Sequence, residues 1–338
     1  MAFYVYVSIS DEDKVNTYLL DKNSGALTLT HEIPVTGGPA AIAIKPDRQF
    51  LYIVRRRDTQ FSSFSINQSD GFLTHIGTID EESDSVYATS DGTGRFMLTS
   101  SNGGARASSY RVGDDGALIS PPACTAYSIP CSHSVQVHPN NKYVYVPHCI
   151  TQNAIFQYTY DGNTGKMTLQ ETGVLVPPTR TGPRHIRFHP TLDVLYTTDE
   201  QGNSISAYCI ESDGHLSGPL QTISTLPDGY DGTENTTAQL RVHPSGKFLY
   251  APNRGHDSIA SFSIDQATGK LILIGRVPTE PHVRGFDLDP EGKFIFSAGV
   301  ESGKMSVYEI DQKTGTVSFL SAYEVGSKPM WILATELK

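Results

Sequence analysis

Short runs of alternating apolar and polar residues, rich in Val, Ile, Tyr, Phe and Thr, follow one another from FYVYVS (3–8) to KPMWILAT (328–335). Alternation with period two reads as half-buried β-strand. No segment carries a sustained helical period. The runs are punctuated by a turn signal, a polar residue followed by Gly, any residue and an aliphatic. It recurs as NSGALT, SDGFLT, DDGALI, NTGKMT, SDGHLS, ATGKLI and KTGTVS. Its glycines are Gly25, Gly71, Gly116, Gly165, Gly214, Gly269 and Gly315, spaced 46, 45, 49, 49, 55 and 46 residues apart. A tight hairpin needs positive φ there, which glycine adopts at little cost.

A second signal keeps phase with the first. IKPDRQFLY, VHPNNKYVYV, FHPTLDVLYT, VHPSGKFLYA and LDPEGKFIFS each join two β-rich runs through a proline-containing turn, and SDGTGRFMLT (90–99) is a copy without the proline. Each interval therefore holds four short strands, as in AIAI, FLYIV, FSSFSI and FLTHIGTI. Seven such units predict an all-β, seven-bladed β-propeller with four-stranded blades. The first run looks like the second strand of a unit whose first strand is supplied by the last run, so the C-terminal strand is expected to close the ring against the N-terminal ones. No linker interrupts the phase, and residues 1–338 read as one domain.

Composition adds exclusions. Lys and Arg total 26 against 36 Asp and Glu, a formal charge of −10. That argues against general nucleic-acid or anionic-membrane binding, while leaving room for a local basic pocket. No apolar run is long enough to span a bilayer, and MAFYVYVSIS does not read as a signal peptide. Cys124, Cys131, Cys149 and Cys209 are too few and scattered for a disulfide framework. Reduced thiols in a cytoplasmic protein are expected, with a Cys124–Cys131 bridge as the alternative. Nucleotide-binding glycine motifs, a G-x-S-x-G elbow and paired zinc-ligand spacings are missing. No metal and no cofactor are expected.

Repetition supplies a control for function, because a residue type present in every unit belongs to the scaffold. Six residues before the repeated proline, or before Asp91 in the unit without it, stand Ala40, Ser85, His133, Arg184, Ala238 and Arg284. Ten residues after it stand Arg56, Ser101, Cys149, Glu200, Arg254 and Val300. The first locus begins the innermost strand of a blade, and the second is the turn joining its second and third strands. Both lie on one face, around the mouth of the central channel. His133, Arg184, Glu200 and Arg254 would converge there, and the polar turn in YAPNRGHDSI (250–259) would be a rim element. Alternatively, Arg184 and Arg284 simply pair with Glu200 and Asp257. His138, His189 and His243, being repeated, read as turn residues.

The motifs GPRH-x-x-F-H-P (182–190), YAPNRGHDSI (250–259) and HS-x-x-x-HP (133–139), set in seven repeats, resemble the lactonase family of seven-bladed propellers. That family includes cycloisomerase-type 6-phosphogluconolactonases and a 3-carboxy-cis,cis-muconate cyclase. The resemblance covers the whole chain and implies chemistry at a histidine, an arginine, a glutamate and a second arginine, which fall on His133, Arg184, Glu200 and Arg254. His185, Asn253, His256, Arg284, Tyr87 and Asn102 are expected to contact the substrate. The second unit departs from the pattern, SDSVYATSDG lacking HP.

Lactone opening needs a base to activate water and donors to hold the developing oxyanion. Glu200 or His133 would be the base, and Arg184 and Arg254 would hold negative charge or clamp a phosphate or carboxylate. The expectation is a cofactor-independent hydrolase of a sugar lactone, 6-phosphogluconolactone first. A carboxymuconate cycloisomerase is the alternative, and a non-catalytic binding propeller is an alternative of another class. The basic rim of Arg184, Arg254, Arg284 and His256 favours an anionic small molecule as partner.

Overall fold

The computed structural model describes residues 1–178 and 181–338. It is all-β, with seven antiparallel sheets and two short 3₁₀ turns, Ser10–Glu12 and Ile150–Gln152, among the described residues. The sheets stand as blades around a channel, each running outward from an innermost strand. Blade 1 has Pro39–Ile44, Phe50–Arg55, Gln60–Ile66 and Leu73–Asp80, and blade 4 has Pro183–Phe188, Val194–Asp199, Ser204–Ile210 and Leu216–Ser224. Blade 7 is the closure expected from the sequence. The C-terminal strand Pro329–Leu337 lies innermost and pairs with Ala2–Ile9, with Tyr6 opposite Leu333.

The repeated tyrosine and the repeated glycine explain why the blades stack at a fixed spacing. Tyr6, Tyr52, Tyr145, Tyr196 and Tyr250, all fully buried on second strands, donate their hydroxyls to the carbonyls of Gly71, Gly116, Gly214, Gly269 and Gly315 in the following blade. These bonds measure 2.7–3.1 Å. Gly116 sits at φ 83°, and a Cβ there would meet the Phe50 ring at 2.1 Å. Glycine is thus required by the turn and by the neighbouring blade at once. The repeated histidines serve the same stacking. His189 and His243 use Nε2 on the carbonyls of Gly246 and Gly292, while their Nδ1 atoms hold their own turns.

Two innermost strands depart from the regular pattern. In blade 3 only Gln136–Val137 pairs regularly, preceded by an isolated bridge between Ser132 and His148. In blade 5 the strand is split into Thr236–Thr237 and Arg241–Val242. Ala238, which falls in the gap, accepts from Arg184 Nη1 at 3.3 Å and from Thr198 Oγ1 at 2.9 Å. The sequence pattern showed four strands in these units but not the interruptions; in blade 5 the Ala238 carbonyl bonds to side-chain donors of blade 4, while its N–H keeps the Pro252 carbonyl.

Candidate active site

The starts of the innermost strands gather at one mouth of the channel. Ala40, Val86, His133, Arg184, Ala238, Arg284 and Met330 line a recess, which is joined by Arg56 and Arg254 from the ends of second strands. Strand direction does this positioning, since equivalent residues of every blade reach the same rim. Trp331, His185 and Gln239 form the deeper wall.

Four of the lining residues are arginines, and their partners differ. Arg254 Nη2 donates to Glu200 Oε1 at 2.6 Å, and Arg184 Nε lies 3.4 Å from the same oxygen. Arg56 pairs with Asp84 at 2.9 Å nearer the solvent. Arg284 makes no ion pair among the described residues. The anticipated pairing with Asp257 does not form, because Asp257 Oδ1 already accepts the backbone N–H groups of Gly255 and His282. Buried charge of one sign is costly. Burial and the neighbouring Arg254 pull the Arg184 guanidinium down to about 9, and the same two causes bring Arg284 down to about 10.

Burial alone would raise the Glu200 carboxyl, but Arg184 and Arg254 outweigh it and hold the group below the usual carboxylate value. Glu200 is therefore an anion fixed between two cations. His133 is the opposite case. Burial, then the charges of Arg184, Arg284 and Arg254, hold its imidazole well below the ordinary histidine value, so it is neutral at pH 7. Its Nδ1 has no hydrogen-bond partner among the described residues, and the ring packs 5.4 Å from that of His185. A neutral imidazole with an unengaged nitrogen, facing three arginines, can take up a proton once an anion offsets their charge.

This constellation stands on a chain whose relatives are known. The family described as "Lactonase, 7-bladed beta-propeller" matches residues 4–334. The chain belongs to that lactonase family. A protein of Pectobacterium carotovorum subsp. carotovorum (strain PC1) named 6-phosphogluconolactonase is 30% identical over 328 residues, covering 97% of both chains. One of the same name from Serratia proteamaculans (strain 568) is also 30% identical over 328 residues, with 97% of both chains covered. The fold matches that of the periplasmic gluconolactonase PpgL of Pseudomonas aeruginosa, with a TM-score of 0.91, 23% identity and all of both chains covered.

Within the lactonase ring, not every residue singled out in the sequence reaches the recess. His133, Arg184, His185, Arg254 and Arg284 line it, and Glu200 braces two of them. Asn253 does not: adjacent strand residues face opposite ways, and it is fully buried against Thr225, Asn235 and Ser258. His256 lies on the turn, with Nδ1 2.7 Å from Ser258 Oγ and its ring against Tyr230. Asn102 is outside the lining and receives the Cys131 N–H on its backbone carbonyl. Tyr87 stands behind His185 and Trp331, with its hydroxyl toward the far end of the channel.

Conversely, Arg56, Gln239 and Trp331 belong to the wall without having been picked out. Arg56 carried a signal, since it occupies in blade 1 the locus of Arg254. Trp331 is the chain's only tryptophan, placed by a ring closure that only the two ends together reveal. All four cysteines are free thiols, so the Cys124–Cys131 bridge does not form. Among the described residues no group of three His, Cys, Asp or Glu side chains could hold a metal ion.

Proposed function

We propose that this recess hydrolyses an anionic sugar lactone, 6-phosphogluconolactone foremost, to the open-chain acid without a cofactor. The observation that carries the reading is the neutral His133 set among Arg184, Arg254 and Arg284. The names of the full-length relatives point to the same substrate. Arg284, which has no ion-pair partner among the described residues, receives the phosphate. Its charge offsets the arginines and raises the basicity of His133 toward neutrality. His133 then takes a proton from water as the water attacks the lactone carbonyl. Arg254, steadied by Glu200, faces the alkoxide that develops, a role typically worth about 3–4 kcal/mol. Collapse of the tetrahedral species breaks the ring C–O bond, and His133 returns its proton to the departing oxygen.

This assignment makes His133 the base and Glu200 a positioning group. The reaction belongs to carbohydrate metabolism, and the four free thiols support a cytoplasmic setting. The test is the hydrolysis rate of freshly generated 6-phosphogluconolactone, corrected for the spontaneous reaction. Acceleration by the purified protein supports the reading. No acceleration on this lactone, with turnover of 3-carboxy-cis,cis-muconate instead, would assign the site to cycloisomerisation. Turnover of neither would leave a binding module.

A further inference from the structure

The opposite end of the channel has its own recess of about 270 Å³, lined among others by Tyr87, Gln136, Arg187, Arg241, Asp287 and Trp331. Register shows that this chemistry is not scaffold. Gln136, Arg187, Arg241 and Asp287 pair with Tyr145, Tyr196, Tyr250 and Phe296, the same rung in four consecutive blades. On that rung the next two blades have Leu333 opposite Tyr6 and Ala43 opposite Tyr52. The fold therefore accepts small or apolar residues at this position, yet one arc of the ring carries two arginines.

The single carboxylate of the arc is already engaged on both oxygens. Asp287 Oδ1 accepts from Arg241 Nε at 2.6 Å and from the Leu288 N–H at 3.0 Å, and Oδ2 accepts the Ala334 N–H at 3.0 Å. Arg187 has no carboxylate partner among the described residues. Its Nη1 bonds to Tyr87 Oη and to the Ile186 carbonyl, both at 2.8 Å. Tyr87 Oη also accepts from Gln136 Nε2, and its own proton has no acceptor among the described residues. Burial, and then Arg241 in the adjoining blade, pull the Arg187 guanidinium down from its ordinary value. The far recess thus presents an unpaired guanidinium, a half-engaged one and a free hydroxyl donor, in a protein of net charge −10.

We propose that this far mouth is a second binding site, taking a small oxyanion of the phosphate or carboxylate class between Arg187, Arg241 and the Tyr87 hydroxyl. It is separate from the lactone recess. The rings of Tyr87, His185 and Trp331, with centroids 5.2–6.2 Å apart, stand between the two ends. Trp331 borders both recesses, so its fluorescence reports on an occupant of either.

Equilibrium dialysis with radiolabelled inorganic phosphate, and in parallel with labelled succinate, tests the site without reference to any lactone assay. The Arg254→Ala/Arg284→Ala protein, disabled at the near mouth, is expected to retain one bound anion per chain. Adding Arg187→Gln should weaken that binding by about tenfold or more, as loss of a charge-assisted donor does. The anion held more tightly names the ligand class. Should the triple variant fail to fold by circular dichroism, Arg187→Lys in the same background keeps the charge and loses the fork, and is expected to bind several-fold more weakly. No binding of either anion to the near-mouth double variant, or binding unchanged by Arg187→Gln or Arg187→Lys, would overturn the proposal.

Discussion

Arg254 and Glu200 are linked at the recess, Nη2 to Oε1 at 2.6 Å, and Arg184 Nε lies 3.4 Å from that same oxygen. One carboxylate thus holds two guanidiniums in place, and its loss exposes two like charges to each other. Glu200→Gln should lower thermal stability by an amount on the order of 3–5 kcal/mol, the usual cost of breaking a buried pair. It should also reduce kcat by about 10–100-fold. The acidic limb of its pH–rate profile should persist, because His133 is still present. Disappearance of that limb would make Glu200 the base.

Among the described residues, Arg284 is the cation of the near mouth that makes no ion pair. Arg284→Ala should cost about 1.5–3 kcal/mol in kcat/KM toward 6-phosphogluconolactone, the worth of a hydrogen bond to a charged group. Toward unphosphorylated gluconolactone the loss should be much smaller. Equal losses on both lactones would remove the phosphate from Arg284.

His133 supplies a pH prediction. Its imidazole is held below the unfolded histidine value of about 6.5. Below that pH the unfolded chain binds a proton that the folded chain refuses, so the contribution of His133 to stability is present above about 6.5 and is lost as pH falls. Glu81 and Asp199, raised by burial to about 7 and about 6, act in the opposite sense, losing stability as pH rises from their unfolded values. Comparing variants isolates the histidine. Thermal melts from pH 7.5 down to 5 should show a shallower decline for His133→Asn than for wild type. Titration of the imidazole by NMR should show its pKa rising when 6-phosphogluconate is added, and a fall would contradict the role of the arginines.

The scaffold was written in the chain more plainly than the site. Period-two alternation, the seven glycines and the split seventh unit specify blade number, strand order and ring closure, because each arises from local backbone chemistry repeated many times. The loci of His133, Arg184, Glu200 and Arg254 followed from the same phase. Depth did not. Asn253 and Arg254 are neighbours in sequence, yet the pleat turns one into the blade and the other toward the channel. The interruption at Ala238 depends on donors from another blade, and sequence separation conceals it. The far-mouth arginines were not legible in the chain because Arg187 and Arg241 stand in β-patterned runs, where a charged residue reads as a solvent-facing alternate.

The tyrosine–glycine bonds between blades predict a stability effect remote from any chemistry. Tyr196→Phe should cost about 1–2 kcal/mol, since the Gly269 carbonyl loses its buried partner. Tyr52→Phe should cost a similar amount, and the two should add within about 0.5 kcal/mol because their blades are not neighbours. We propose that residues 1–338 unfold as one unit. Denaturant titration followed by Trp331 fluorescence and by circular dichroism should give coincident transitions, and truncation after Ser327 should abolish folding by removing the innermost strand of blade 7.

The most direct test of the lactonase account is the turnover of 6-phosphogluconolactone at pH 7 by wild type and by folded His133→Asn. Wild type should accelerate hydrolysis well beyond the spontaneous rate, and the variant should lose about 10²–10⁴ of that kcat, the usual contribution of a positioned base. A correctly folded His133→Asn protein that turns over the lactone at the wild-type rate would contradict it.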